Sequence, residues 1–501
     1  MHGAWRIEKK PKKGYSMNFP PSPLQRYQSI IEDFPAFEEA TRRPLARFIW
    51  AHKQRIDPAK LNALLTAEGY RLVSLDWHPG AFRVAFEPNP LGGHWTYQAG
   101  FFHIQEAASM VPVLLLSPRP GMRIMDLCAA PGNKTVQAAS AMENTGTVVA
   151  NDLRHQRMAS IRMHVDRLGL VNVSTTCRDG GSYPRKAGLF DAVLVDAPCS
   201  CEGTSRKNTD ILHRPVPGRG RLLLRQKRLL ERAVRLCRPG GRIVYSTCTY
   251  DPEENEAIVD AVLRAMPDKV EMLPSSLPGL RTAPGLTSWH QERFHPDLRH
   301  ALRIWPHLND TGGFFAAVLQ RTGGLFLPPE PSPALSDSEY EDENRNGYRL
   351  FPDPEQITSL LSNRFGIGRS AFEGLCLLTR NKRQVFLAAS DHRPTVEPPA
   401  ATGLPLLHLS MKTPKLTTAG AAFLGPFARH NIIDVDADQR VRYLARRSFS
   451  LRRSQLAETT EDGHVLVRYD SAVLGVGRMF KRQMQVDSFY PKRFAALPAD
   501  G

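Results

Sequence analysis

No stretch of this 501-residue chain comes near the length of an apolar membrane-spanning segment, about 18 residues. The start of the sequence has none of the apolar core of a secretory signal. The seven cysteines form no CxxC pair, so neither a zinc ribbon nor a thioredoxin-like centre is expected. An odd number of thiols scattered along a long chain reads as reduced, and the expectation is a cytoplasmic protein with no membrane association and no metal site. Two nucleotide signatures are missing as well. A phosphate-binding P-loop needs Gly directly before its Lys, where this chain has Asn133 before Lys134, and the spaced glycines of a dinucleotide fingerprint are absent. Acid is in short supply: 50 Asp and Glu against 66 Lys and Arg leave a net charge of +16, which favours a polyanionic partner over a small neutral one.

A hydrophobic content of 42% is enough to build cores, and the length fits about three domains. Residues 1–17 are basic, aperiodic and read as a flexible arm. From 18 to 95, helical spacings (Tyr27, Ile30, Ile31, Phe34; Leu61, Leu64, Leu65) precede the alternating run Phe82 to Phe86, predicting a small α+β domain that packs on its neighbour or binds RNA. Residues 96–322 alternate strands with amphipathic helices, the pattern of a doubly wound parallel sheet. The predicted strands are Arg123 to Leu127, Thr147 to Asn151, Val173 to Thr176, Ala192 to Val195 and Arg242 to Ser246, with Pro239-Gly240-Gly241 as a tight turn into the fifth. Residues 323–346, rich in Pro, Ser and acid, form a linker that cannot bury a core. Residues 347–501 return to short strand-like runs and basic clusters, read as a mainly β or α+β appendage.

Two stretches carry the chemistry. Val195-Asp196-Ala197-Pro198-Cys199-Ser200-Cys201 and Tyr245-Ser246-Thr247-Cys248-Thr249 each put a cysteine just after an apolar run, where a buried strand opens into a loop. Were the two runs neighbouring parallel strands, Cys199 and Cys248 would face each other across the mouth of a pocket, with Asp196 beside them. The loop Asp126 to Thr135 joins the first predicted strand to a helix. Its small residues, Cys128, Ala129, Ala130, Pro131, Gly132 and Asn133 before Lys134, allow close approach of a ligand to free amides. Asp152, Asp179 and Asp196 follow successive strands. One such acid alone is more often a helix N-cap, but three together point to a nucleoside-bearing cofactor along the strand ends. Cys128, Cys177, Cys237 and Cys376 read by default as inert packing residues. Arg206 and Lys207, just beyond Cys201, are placed to hold RNA phosphates or to lie in a solvated loop.

These motifs resemble the RNA cytosine-5 methyltransferases of the NOL/NOP/Sun type, which include bacterial small-subunit rRNA enzymes. The matching pieces are Gln105 to Met110, Asp126 to Thr135, Asp196 to Ser200, Tyr245 to Thr249 and Glu253 to Glu256; Gly463 to Arg493 looks like a PUA-like RNA-binding tail. The resemblance implies a Rossmann-like α/β methyltransferase domain between a small α+β domain and a PUA-like α+β region. It also implies S-adenosylmethionine held by residues 128–134, Asp152, Arg157, Asp179 and Asp196. Either thiol could attack C6 on chemical grounds; the resemblance assigns attack to Cys248, product release to Cys199 and the N3 contact to Asp196. The expected partner is RNA, with rRNA ahead of tRNA, and the expected state is a monomer. The competing readings are a DNA cytosine-5 methyltransferase and a non-catalytic RNA-binding or ribosome-assembly factor on the same fold. Three positions depart from the family: Asn133 and Cys201 where Gly is common, and His164 where Asn is usual. Asn133 is tolerable in a left-handed conformation.

Overall fold

The computed structural model of the chain describes residues 23–494 apart from 186–188, 214–215, 217, 324–346, 394–398 and 410–413, so the arm and all but one residue of the linker lie outside the described residues. Four strands, Arg47–Ala51 (β1), Arg71–Ser74 (β2), Ala81–Phe86 (β3) and Phe102–Ile104 (β4), make an antiparallel sheet in the order β2-β3-β1-β4. Its helix, Pro58–Ala67, starts where the Asp57 carboxylate accepts the Ala59 and Lys60 amides and Pro58 occupies the first turn. This sheet runs past the expected boundary at residue 95. Ile104 pairs with Ile49, and Phe102 is buried among Ile49, Leu61 and Leu65, a partnership that residue spacing does not encode. The segments Pro23–Ile30 and Phe34–Arg42 go elsewhere, burying Leu24, Tyr27, Phe34 and Phe37 in the next domain's core against Tyr250, Trp289 and Trp305.

The central sheet is built from Arg123–Asp126 (β5), Thr147–Asn151 (β6), Val173–Thr176 (β7), Phe190–Asp196 (β8) and Cys237–Thr247 (β9), parallel and ordered β9-β8-β5-β6-β7. Helices cover both faces, so the strands are almost wholly buried and their sequences are near-continuous apolar runs. The chain runs outward from β5 to β6 and β7, then returns to place β8 on the other side of β5. Between β5 and β8 the order therefore reverses, and the crevice beyond the carboxyl ends of the strands is where such sheets bind ligands. Phe314–Arg321 continues the sheet antiparallel to β9. Pro239-Gly240-Gly241 is not a turn before the fifth strand but an irregularity inside it. Phe190 pairs with Cys237 and Ala192 with Arg242, so the intervening residues bulge out while both flanks stay in the ladder.

Beyond residue 347 the single expected appendage is two five-stranded sheets, one over Arg349–Leu416 and one over Ile432–Ser488, sharing a core that includes Leu361, Leu387, Leu406 and Leu466. Between them and the central sheet, Ala401–Thr402 pairs with β7. Among the described residues, no helix is long and apolar enough to cross a membrane.

Candidate active site

Because β8 and β9 run parallel with Asp196 opposite Ser246, their loops leave the sheet side by side. The Cys199 and Cys248 sulfurs then stand 3.4 Å apart. Cys201 takes a left-handed backbone (φ 65°), which folds it back until its sulfur is 3.9 Å from that of Cys199. The loops are held by their backbones. Gly203 donates its amide to the Cys248 carbonyl and Gly313 donates to the Gly203 carbonyl, both at 2.9 Å. No side chain fits in this clasp: a Cβ on Gly203 would lie 2.2 Å from the Gly313 oxygen, and one on Gly313 1.9 Å from the Tyr250 ring. Ser200 and Thr249 hydroxyls bond across the loops at 2.7 Å, and the buried Glu254 carboxylate accepts the Ser200 amide at 3.0 Å.

Cys248 and Asp196 line one cavity of about 180 Å³ together with the loop from Cys128 to Pro131, Lys134, Glu106 and Phe314. Lys134 Nζ donates to Asp196 Oδ2 at 2.7 Å and to Ser109 Oγ at 2.9 Å, and lies 5.0 Å from the centre of the Phe314 ring. Ser246 Oγ donates to the other Asp196 oxygen at 2.9 Å. Contacts with Cys201 and Cys248, then burial, hold the Cys199 thiol well above its ordinary range. Cys199 pulls Cys248 down, but Cys201 and burial outweigh it and leave that thiol raised. Cys201, contacted by both, is pushed down by those same contacts.

The small-residue loop is strapped to the strands beside it. Gly132, at φ 111°, makes the left-handed turn into the helix Asn133–Ala141, so the conformational freedom expected of Asn133 is supplied one residue earlier. Asn133 instead accepts a hydrogen bond from His103 Nε2 at 3.0 Å. Buried Asp152 accepts the Ala130 amide at 3.2 Å and the Arg154 amide at 3.0 Å, and pairs with Arg157 at 3.3 Å, while Arg157 also bonds the Ala130 carbonyl. Asp179 is exposed and accepts the Gly181 amide at 3.1 Å, capping a short 3-10 turn. Asp196, Asp126, Asp152 and Asp179 thus follow β8, β5, β6 and β7 along one edge of the sheet, but Asp152 and Asp179 stand outside the lining of the cavity that holds Asp196.

Of the two basic residues expected at RNA, only Lys207 is exposed, at the cavity rim. Arg206 is neither a phosphate ligand nor part of a solvated loop. Its buried guanidinium donates to the Arg43, Pro44 and Thr311 carbonyls and to Asp310 Oδ1, and a group with that many fixed acceptors is structural. Among the cavity residues that sequence reasoning did not single out are Glu106, Phe314 and Asp126. Glu106 holds Gly312 N and Ser109 N at 2.9 Å each, and its place three residues before Ser109 is a helix-cap spacing that could have marked it. Phe314 opens the late strand with no signal of its own. Asp126 ends β5 as Asp196 ends β8; burial pushes its carboxyl up to about 7 despite the 2.7 Å hydrogen bond from Thr135.

Residues 113–320 match the family model described as 16S rRNA methyltransferase RsmB/F. Among curated proteins, the ribosomal RNA small subunit methyltransferase F of Shigella dysenteriae is 35% identical over 329 residues, covering 63% of this chain and 66% of that protein. Its counterpart from Klebsiella pneumoniae is 36% identical over 306 residues, covering 60% and 62%. The chain thus matches somewhat less than two thirds of the length of these relatives. Among solved structures, a methyltransferase homolog from Pyrococcus horikoshii superimposes with a TM-score of 0.53 at 29% identity, over 61% of this chain and all of that one. NSun6 from the same organism, solved with SFG, gives 0.53 at 22% identity over 62% of this chain and all of its own, a likeness of fold. Through the segment that carries both cysteine loops and the small-residue loop, residues 113–320, the chain is similar to the RsmB/F methyltransferases.

Proposed function

We propose that this protein methylates C5 of a cytosine in small-subunit rRNA, using S-adenosylmethionine and a transient bond between Cys248 and C6 of the base. One observation carries the reading: two cysteine sulfurs 3.4 Å apart at the ends of adjacent parallel strands, with Asp196 and Cys248 in one cavity. The relatives' designation as rRNA methyltransferases supports the substrate, and the Pyrococcus structure with SFG, an S-adenosylmethionine analogue, supports the cofactor.

The residues fit that cofactor. Cys128, Ala129 and Ala130 bring backbone and small side chains to the cavity wall, and Gly132 packs so tightly that a Cβ there would lie 3.0 Å from Ile161 Cα. Asp152 with Arg157, and Asp179 beyond them, would meet the nucleoside. When bound, the cofactor supplies an electrophilic methyl group.

Cytosine C5 is a weak nucleophile until the ring's aromaticity is broken, so the target base is unpaired or flipped out of its stack. Cys248 loses its proton and adds to C6, and the displaced charge gathers at N3. There Asp196, fixed by Ser246 and by the ammonium of Lys134, would relay to N3 a proton drawn from that ammonium, so the ring does not keep the charge. C5 would then take the methyl group, the remainder of the cofactor leaving as S-adenosylhomocysteine; a base would remove the C5 proton, and Cys248 would leave by elimination as a thiolate. Cys199, in contact with that sulfur throughout, assists release. Two touching thiols on strand ends count against a purely RNA-binding role, which needs neither.

The test uses full-length protein, S-adenosylmethionine with a labelled methyl group, and small-subunit rRNA. Label is expected in 5-methylcytosine; its absence would overturn the assignment, and label in tRNA alone or in duplex DNA would move the substrate. Cys199→Ala is expected to trap a protein–RNA adduct that survives denaturation, and Cys248→Ala to give neither adduct nor product. An adduct from Cys248→Ala would exchange the two roles.

A further inference from the structure

Methyl transfer employs two sulfurs, and the site holds three. Cys201 sits at φ 65°, a conformation that disfavours any residue carrying a Cβ, and its side chain is turned into the catalytic pair rather than away from it. The sulfurs of Cys199, Cys201 and Cys248 all lie within 4.8 Å of one another, two of the separations being 3.4 and 3.9 Å. Thiolates bound to one tetrahedral Zn²⁺ at about 2.3 Å stand about 3.8 Å apart, so two of the separations are within some tenths of an ångström of that spacing and the third needs to close by no more than about 1 Å. All three side chains are half-buried, which leaves a path for an ion to enter.

We propose that Cys199, Cys201 and Cys248 form a three-sulfur site for a soft, thiophilic cation, Zn²⁺ being the probe, with the fourth coordination position left to water. Soft thiolate ligands select such ions, and three protein ligands with one open position is an ordinary zinc arrangement. On binding, three sulfur–metal bonds form and the thiol protons still present pass to solvent. The backbone needs no rearrangement, because the clasp through Gly203 and Gly313 already holds both loops. An occupied site ties up the Cys248 sulfur, so the metal competes with attack on the base; this consequence rests on the proposed function, whereas binding itself does not.

The test titrates reduced, full-length protein with Zn²⁺ against a chromophoric chelator and reads the ion's neighbours by X-ray absorption at the zinc edge. Expected are one ion per chain at this site and three sulfur neighbours near 2.3 Å. Cys201→Gly suits the left-handed backbone, so it is expected to fold while binding about 100-fold more weakly, with fewer sulfur neighbours. Cys201→Ser, which keeps the size but replaces the soft ligand, is expected to lose affinity too, and Cys376→Ser to lose none. Equal affinity in wild type and both Cys201 variants, a shell of only nitrogen and oxygen, or no bound zinc would overturn the site. In a parallel assay, zinc is expected to suppress methyl transfer and chelator to restore it. Full activity with the site filled would overturn the competition, and a protein inactive with and without zinc would overturn the proposed function but leave the sulfur count standing.

Discussion

The two ends of the same sheet edge are built on opposite terms. At the β8–β9 end, backbone holds the nucleophile's loop: Gly203 and Gly313 clasp it and leave the Cys248 side chain at a cavity, while Asp196 beside it is held by Ser246 and Lys134. At the β6–β7 end, side chains do the holding: Asp152 is taken up by two amides and Arg157, and Asp179 caps a turn. A reactive group must be positioned without being consumed, and fixing it through the main chain achieves that. A group that shapes a binding loop can spend its lone pairs on the loop itself.

Replacing Gly313 by Ala tests the backbone clasp most severely. The new Cβ would overlap the Tyr250 ring, so a destabilisation of about 3 kcal/mol in urea unfolding is expected, with loss of methyl transfer. At the other end, Asp152→Asn is expected to weaken S-adenosylmethionine binding by about 10–100-fold in calorimetry, the worth of a charged hydrogen-bonding group. Asp179→Asn is expected to change it by less than about threefold, and equal effects at both positions would erase the distinction drawn between them. Asp126, at the centre, is checked by pH. Its carboxyl is raised to about 7, whereas in the unfolded chain it titrates near 4. Within that window the native state keeps a proton the unfolded state has lost, so stability falls as pH rises, by up to about 1.4 kcal/mol per unit. Unfolding of Asp126→Asn at pH 5, 6 and 7 is expected to lack that slope. The smallest effect belongs to Lys207→Ala, expected to lower the salt slope of RNA binding by about one phosphate contact without altering stability.

The strand ends were legible because buried parallel strands are written as unbroken apolar runs, and the residue after each run has little choice but to enter the crevice. Cys199, Cys248 and Asp196 read as strand-end residues in this way, and the predicted strands lie within a few residues of those observed. What escaped was set by partners distant in the chain. Arg206 sits beside Lys207, yet the carbonyls of Arg43, Pro44 and Thr311 bury one and leave the other exposed. Phe102 joined the first sheet because Ile49 and Leu61 wait for it. The sulfur trio was hidden by the search for CxxC: Cys201 stands two residues from Cys199 and 47 from Cys248, and only a left-handed residue folds the three together.

The two-residue strand Ala401–Thr402 occupies the free side of β7, and its neighbours Ala400 and Gly403 donate amides to Thr175 O at 2.7 Å and Val173 O at 3.1 Å. His392 and Thr402 meet Ser174 there, and Asp391 takes the Gly146 amide at 2.8 Å. The last third of the chain is thus a cover for the raw flank of the catalytic sheet. A protein cut after residue 322 would keep Cys199, Cys201 and Cys248 and its small-residue loop, but it would offer the β7 backbone to any other strand, and it is expected to associate with its own copies.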